Sequence, residues 1–188
     1  MTKTNSRSIA SLLFLLVTLA TTLAATLATT ASQASAQTDS QKAFAAIKTM
    51  SGTWEGKMPG GQSGQVTFKV ISGGSAVMSE ILGQGPEDMV SMFHLNGPNK
   101  LLMTHYCGTG NQPRMQAAVS PDGKTFTFTY FDATNLATPD AGHMQRMVLT
   151  VLDDNHHTED WTFVAQGKEV KRFFDLHRKV EAKMESKI

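Results

Sequence analysis

The residues best suited to chemistry lie together in one segment, Thr104–Met115, which contains the only cysteine of the chain, Cys107. The same segment holds one histidine, two amides and one arginine: His105, Asn111, Gln112 and Arg114. A thiol beside an imidazole can form half of a soft metal site or an activated thiolate. Amide and guanidinium groups recognise polar or anionic groups. An alternating strand pattern enters this segment and another leaves it, so strand geometry decides which side chains act together.

Residues two apart on a strand share a face, which puts His105 and Cys107 on the same side as Leu101 and Met103. If the apolar pair lines a core, His105 and Cys107 lie inside near one end. The functional interpretation is a thiol–imidazole pair, usable by an enzyme of the isomerase or hydrolase type. The structural interpretation is a buried cysteine with a hydrogen-bonded core histidine. Both remain open from the sequence.

The amides and the arginine are the stronger indication of recognition. Pro113 stiffens the chain between Gln112 and Arg114, and a guanidinium offers a planar fork for a carboxylate or phosphate. The predicted ligand-binding residues are therefore His105, Cys107, Asn111, Gln112 and Arg114. The alternative for Arg114 is a structural ion pair with one of three acidic residues: Asp132, Glu80 or Asp175.

A metal site is not predicted. His94 precedes the turn Asn96–Asn99, and an antiparallel hairpin there separates it from Cys107 at the other end of the next strand. No Cys-x-x-Cys or His-x-x-x-His spacing is present. The loop Gly108–Gly110 lacks the following helix that a phosphate-binding loop requires.

The first residues have the organisation of a secretory signal peptide. Lys3 and Arg7 precede an apolar run from Ile9 to about Leu27, and Ala34-Ser35-Ala36 forms a small-x-small ending. We expect cleavage after Ala36, one domain over residues 37–188, and a periplasmic or secreted protein. The alternative is a single transmembrane anchor, although no cluster of Lys or Arg follows the run.

Charge and cysteine content narrow the range of partners. Removing Lys3 and Arg7 with the signal leaves 15 basic and 16 acidic residues, a formal charge of −1. This balance argues against a nucleic-acid partner and against electrostatic docking to an anionic membrane. No stable membrane insertion is expected after signal cleavage. A single cysteine cannot form a disulfide within the chain, even in an oxidising compartment.

The elements that must position these side chains are one helix and about ten strands. Ser40 is the expected N-cap of a short helix over residues 42–50, where Phe44 and Ile47 share a face. After Gly52 the apolar period becomes two, with short turns rich in Gly, Asn, Asp and Pro. Short connections favour antiparallel neighbours, and a sheet of this width hides its edges by closing. The prediction is an all-β, up-and-down β-barrel with the helix at one end; a two-sheet sandwich is the alternative.

The first strand, Gly52-Thr53-Trp54-Glu55-Gly56, resembles the Gly-x-Trp opening of calycins. That superfamily includes lipocalins, fatty-acid-binding proteins and the haem-binding nitrobindins, and the likeness in strand count extends over about residues 42–180. It implies that Trp54 packs across the barrel base. Similarity to nitrobindins also implies a haem with His177 as candidate axial ligand; the residues themselves indicate no cofactor.

Four further blocks are similar to a bacterial exported lipocalin-like family of unknown function: Gly73–Met78, Phe93–Leu95, Thr104–Cys107 and Asn111–Met115. The resemblance implies a fold rather than a chemistry. With the residues above, it favours an exported barrel that binds a small, partly apolar ligand with a polar or anionic end. The alternatives are the Cys107/His105 enzyme and a packed, non-binding barrel that acts as an interaction module.

Overall fold

The structure, a computed structural model, describes residues 36–57, 59–83 and 89–180, so the predicted signal peptide at residues 1–36 lies outside it except for Ala36. The described chain forms one α-helix and ten strands: α1 (Asp39–Thr49), β1 (Gly52–Lys57), β2 (Ser63–Ile71), β3 (Ala76–Leu82), β4 (Met89–Leu95), β5 (Leu101–Tyr106), β6 (Gln112–Val119), β7 (Thr125–Thr134), β8 (His143–Asp153), β9 (His156–Ala165) and β10 (Lys168–Arg178). Within this part, no helix is long and apolar enough to cross a membrane.

The ten strands form one closed antiparallel barrel. Each strand pairs with its neighbours in sequence, and β1 pairs with β10 from Trp54↔Arg178 to Lys57↔Asp175. The prediction of an up-and-down barrel with one short helix is confirmed, and the sandwich alternative is wrong. Closure removes both sheet edges, so no described strand is left to pair with another chain.

The barrel has two ends, which differ in how they are covered. At the helix end lie α1 and the short turns that join β2 to β3, β4 to β5, β6 to β7 and β8 to β9. At the far end lie the last residues of β1, β3, β5, β7 and β9, the turns at residues 107–111 and 166–167, and the connection at residues 135–142. The Thr104–Met115 segment therefore turns at the far end, away from the helix.

Alternation along the strands sends one set of side chains inward. The inward set is dominated by large apolar groups: Trp54, Phe68, Phe93, Met103, Met115, Phe126, Phe128, Met147, Trp161, Phe174 and Leu176, all nearly or fully buried. On β5 the pattern is the predicted one, with Leu101, Met103 and His105 buried. A one-residue slip would reverse every such position, so the apolar set also fixes the register.

Helix α1 begins at Asp39, three residues earlier than expected. Its N-cap is Thr38, whose hydroxyl accepts from the Gln41 amide while the Gln41 side chain accepts from the Thr38 amide. The expectation of Ser40 as N-cap is therefore wrong, because the reciprocal capping box satisfies two free amides and a lone serine satisfies one. The helix buries Phe44 and Ile47 against the barrel, as its spacing predicted.

Arg178 ties the helix end together. Its guanidinium donates to the carbonyls of Thr49, Ser51 and Asp154 and lies 4.2 Å from the centroid of the Trp54 ring. The Trp54 indole nitrogen in turn donates to the Met50 carbonyl at 2.8 Å. The expected packing of Trp54 across the barrel base is thus confirmed, with the last strand, the first strand and the helix joined at one point.

Barrel closure depends on Gly56. A Cβ placed there would lie 2.0 Å from the backbone oxygen of Asp175, and that oxygen belongs to β10 and cannot rotate away. We expect Gly56→Ala to cost at least about 2 kcal/mol of unfolding free energy, measured by urea denaturation.

Lys57→Ala is the matched control, because it changes an exposed residue on the same strand. It should shift the unfolding free energy by no more than about 0.5 kcal/mol. Equal effects of the two substitutions would contradict the close approach of β1 and β10.

Candidate functional site

Strand β9 places two ionisable side chains and an indole inside the barrel. His157, Glu159 and Trp161 stand two residues apart, so all three point inward, and each is almost completely buried. Buried ionisable groups are rare unless they are paired or serve a function. These three residues, the β9 row, are therefore candidates for a functional site.

Glu159 links its two neighbours. One carboxylate oxygen accepts from the Trp161 indole nitrogen at 2.8 Å, and the other lies 3.3 Å from Nε2 of His157. The contact with Glu159 occupies Nε2, so Nδ1 is the ring nitrogen of His157 that is left over. Nδ1 has no hydrogen-bond partner among the described residues.

A cavity of about 330 Å³ lies beside His157 at the helix end. Its walls include Met50, Trp54, Val151 and Arg178. The Trp54 ring also meets the His157 ring edge-on, with centroids 4.3 Å apart. The cavity is large enough for ordered water, which is the usual partner of a buried ring nitrogen.

His105 is the second buried histidine and the one predicted from the sequence. Its side chain is 0% exposed, and Nδ1 lies 2.9 Å from the Ser91 hydroxyl. Its ring lies 4.9 Å from the Trp161 ring, centroid to centroid. Burial lowers the pKa of His105 from 6.5 to about 4, so the ring is neutral near pH 7.

The other ring nitrogen of His105, Nε2, is buried and has no partner in the described part of the chain. If Ser91 donates to Nδ1, Nε2 carries a hydrogen and can donate; in the other tautomer it accepts. In both cases one hydrogen-bonding position is open inside the barrel. Ser91 on β4 is paired with His105 on β5, and Ser79 on β3 is paired with Ser91. Next to His105 the inner face therefore carries two small polar side chains.

Cys107 and Asn111 lie close to the end of this row. The Cys107 amide donates to the Asn111 carbonyl at 3.1 Å, which closes the turn between β5 and β6. Cys107 is half-buried and packs against the core. Asn111 is buried and donates to the Gly142 carbonyl at 2.8 Å, while its side-chain oxygen has no hydrogen-bond partner among residues 36–57, 59–83 and 89–180. The structure therefore brings His105, Cys107 and Asn111 to the inner side of the far end.

The side chains of the other two predicted residues, Gln112 and Arg114, do not point into the barrel. On β6 the buried positions are Pro113 and Met115, so Gln112 and Arg114 belong to the opposite face. Gln112 is held by Gly110 and Thr134 through hydrogen bonds of 3.1 and 2.8 Å.

Arg114 is exposed and forms a two-point ion pair with Asp132, the first of the structural partners that the sequence allowed. The hydrogen bond and charge of Asp132 raise the pKa of Arg114. Because Arg114 lies on the outer face, it does not share a pocket with His105.

His94 and His177 also lie apart from the residues at the inner side of the far end. His94 pairs with Leu102 near the helix end, while Cys107 follows Tyr106 at the far end, so the predicted separation of His94 from Cys107 is confirmed. His177 is exposed on the outer face of β10, and Phe174 and Leu176 take the inner positions. His177 therefore does not fit the role of axial ligand to a haem inside the barrel.

The sequence analysis did not identify His157, Glu159 and Trp161 as interior residues. The signal was present as alternation: His157, Glu159 and Trp161 share one parity, and the residues between them share the other. Apolar periodicity does not mark these positions, because two of the three residues, His157 and Glu159, are polar.

No family model and no curated protein matches the sequence. Among solved structures, the crystal structure of Rv2717c from M. tuberculosis is similar, with a TM-score of 0.53 and 14% identity. The match covers 73% of this chain and 98% of that chain. At this identity the likeness concerns the fold alone.

The buried state of His105 predicts a specific pH dependence of stability. The unfolded chain binds a proton at His105 near pH 6.5 and the folded chain only near pH 4, so the unfolded state holds more protons between these values. The free energy of unfolding should therefore fall as the pH is lowered from 6.5 to 4, by about 3 kcal/mol from this residue.

Urea denaturation at several pH values measures this contribution. His105→Gln should lose it, because an amide does not titrate, and the control His94→Gln should retain it. The Ser91 and Trp161 groups that contact the His105 ring are uncharged, so they do not add to the slope. Parallel pH profiles for the native protein and His105→Gln would contradict the assignment.

Proposed function

We propose that this protein is exported and binds a small, partly apolar molecule inside the barrel, with the polar end of the molecule hydrogen-bonded to His105. The observation that carries the proposal is the open Nε2 of His105, which is buried, uncharged near pH 7 and beside the Trp161 ring. Leaving a buried polar group unpaired costs roughly 1–3 kcal/mol, so a partner molecule that supplies the missing hydrogen bond gains binding energy there.

The side chains around His105 indicate the chemistry of the rest of the ligand. Apolar side chains such as Phe93, Met103 and Met115 form the neighbouring inner positions, and they suit a hydrocarbon body. The Trp161 ring offers a flat face for packing. This combination of a mostly apolar wall with few polar groups is typical of small-molecule sites in barrels.

A neutral polar end fits this interior better than an anionic one. The predicted source of positive charge, Arg114, lies on the outer face and is engaged by Asp132. Among the buried residues that the structure describes there is no lysine or arginine, so an anion inside would find no fixed positive charge to pair with. The proposed ligand therefore ends in a hydroxyl, carbonyl or amide rather than a carboxylate.

The far end is the proposed entrance. Cys107 and Asn111 lie there on the inner side, and the buried side-chain oxygen of Asn111, which no described residue contacts by a hydrogen bond, provides a second polar contact along the path. At the opposite end, α1 and the Arg178 contacts cover the barrel base. Export and a place in a lipocalin-like family rest on the sequence of residues 1–36 and on the motif resemblance; the barrel fold is compatible with both.

Two probes that differ only in their polar end test the ligand chemistry. We expect 1-octanol to bind with a dissociation constant at least about tenfold lower than that of octanoate, because burying a carboxylate without a cationic partner is costly. Quenching or enhancement of Trp161 fluorescence reports binding, with Trp161→Phe as the control for the signal.

The role of His105 is tested with His105→Leu, which removes the polar contact. His94→Leu is the control, because it makes the same substitution at a histidine outside the proposed site. The first should weaken octanol binding about fivefold or more, and the second should leave it unchanged. Circular dichroism checks that both variants fold. Equal binding to the native protein and His105→Leu would overturn the role of His105.

Native mass spectrometry of protein purified from its own cells gives an independent test. A retained molecule, lost in His105→Leu, is the expected result. An experimental structure whose interior is filled by side chains, together with no retained mass and no response to either probe, would overturn the binding proposal and support the packed-barrel alternative.

A further inference from the structure

A second cluster of polar side chains lies on the outer face of the barrel near the helix end. His156 on β9 stands directly opposite His177 on β10. Asp175 precedes His177 by two residues and therefore shares its face. The inner positions beside them are taken by His157, Phe174 and Leu176, all buried, so the three outer side chains cannot turn inward.

The three side chains are close enough to share one ion. Nε2 of His156 lies 2.7 Å from Oδ1 of Asp175, and Nε2 of His177 lies 3.8 Å from the same oxygen. One potential ligand atom from each residue lies within 4.8 Å of the others. Ligands bound at about 2.0–2.2 Å around a tetrahedral metal are separated by roughly 3.3–3.6 Å, so only small adjustments are needed.

The backbone holds this arrangement in place. The hairpin of β9 and β10 turns at Gln166 and Gly167, both with positive φ (50° and 72°), as in a two-residue type I′ turn. That turn sets the register in which His156 meets His177, and the pairing runs without a bulge along the two strands. The side chains are 28% (His156), 48% (Asp175) and 61% (His177) exposed, so they can rotate toward an ion at little cost.

A simple ion pair does not account for both histidines. Asp175 is within hydrogen-bonding distance of His156 only, yet the His156 and His177 rings stack at 4.1 Å between centroids. Two protonated imidazoles at this distance would repel each other, whereas two neutral imidazoles with a carboxylate form a ligand set for a cation.

The neighbouring charges are balanced between the two signs. Glu55 lies opposite His177 and is paired with Lys179 at 3.2 Å; Asp153 lies opposite His156; and Lys57 lies opposite Asp175. No described lysine or arginine forms an ion pair with Asp175. The carboxylate is therefore available to a metal ion.

We propose that His156, Asp175 and His177 bind one divalent transition-metal ion, of which Zn²⁺ and Cu²⁺ are the matching representatives, through two imidazole nitrogens and one carboxylate oxygen. Water completes the coordination. Imidazole-rich sets of this kind suit Zn²⁺ and Cu²⁺, while Mg²⁺ and Ca²⁺ require mainly oxygen ligands. The site is on the outer face and is independent of ligand binding inside the barrel.

Calorimetric titration of the metal-free, untagged protein with ZnCl₂ at neutral pH tests the proposal. The expected result is one Zn²⁺ per chain, with at least about tenfold weaker binding in His177→Gln and Asp175→Asn, because each loses one of three ligands. His94→Gln is the matched control, since it removes a histidine from outside the cluster, and its affinity should equal that of the native protein. His177 and Asp175 are partly exposed, so both variants are expected to fold, which circular dichroism verifies.

Cu²⁺ provides a spectroscopic readout of the same residues. The electron paramagnetic resonance spectrum of the loaded protein should show coupling to two imidazole nitrogens, reduced to one in His177→Gln. Failure of both Zn²⁺ and Cu²⁺ to bind would overturn the site. So would stoichiometric binding whose affinity and spectrum are unchanged in His177→Gln.

Discussion

The pairing of β1 with β10 is the constraint on which the rest of the structure depends. A ten-stranded meander has two free edges until its first and last strands meet, and without that contact there is no enclosed interior. Gly56 permits the contact because β10 approaches too closely for any side chain there. Arg178 then joins the last strand to the end of α1 and to Trp54. Closure and coverage of the helix end are therefore achieved by the same pair of strands.

Closure gives the two faces of each strand different environments, and β9 uses both. His157 points into the barrel and meets Glu159, while the preceding residue, His156, points out and meets Asp175. Inside, burial favours neutral rings and makes each hydrogen bond strong and each missing one costly. Outside, water lowers the cost of charge and leaves side chains free to rotate. Two adjacent histidines therefore acquire different chemical roles from alternation alone.

Much of this fold could be predicted from the sequence, because period-two alternation and Gly, Asn, Asp or Pro turns are local signals. The face of Leu101, Met103 and His105 was predicted correctly from the same alternation. For Arg114 the prediction of a ligand-binding position was not met, because the face on which it lies depends on the number of residues in the preceding loop. The loop ends at Asn111, so Pro113 and Met115 take the inner positions and Arg114 lies outside. A loop length that is wrong by one residue reverses the assignment.

The candidate sites were harder to predict than the fold because they depend on polar residues in positions that apolar patterns do not mark. Ser91 reaches His105 only through the register of β4 and β5, and Trp161 reaches it only because the barrel closes.

The outer cluster of His156, Asp175 and His177 is easier to infer from the sequence. A two-residue turn at Gln166-Gly167 fixes the β9–β10 register, and counting outward from it places His156 opposite His177. A hairpin turn thus carries information about side chains ten residues away, whereas a contact across the barrel interior requires the whole sheet. This difference explains why a site on one hairpin can be inferred from sequence and the interior row of His105 and Trp161 cannot.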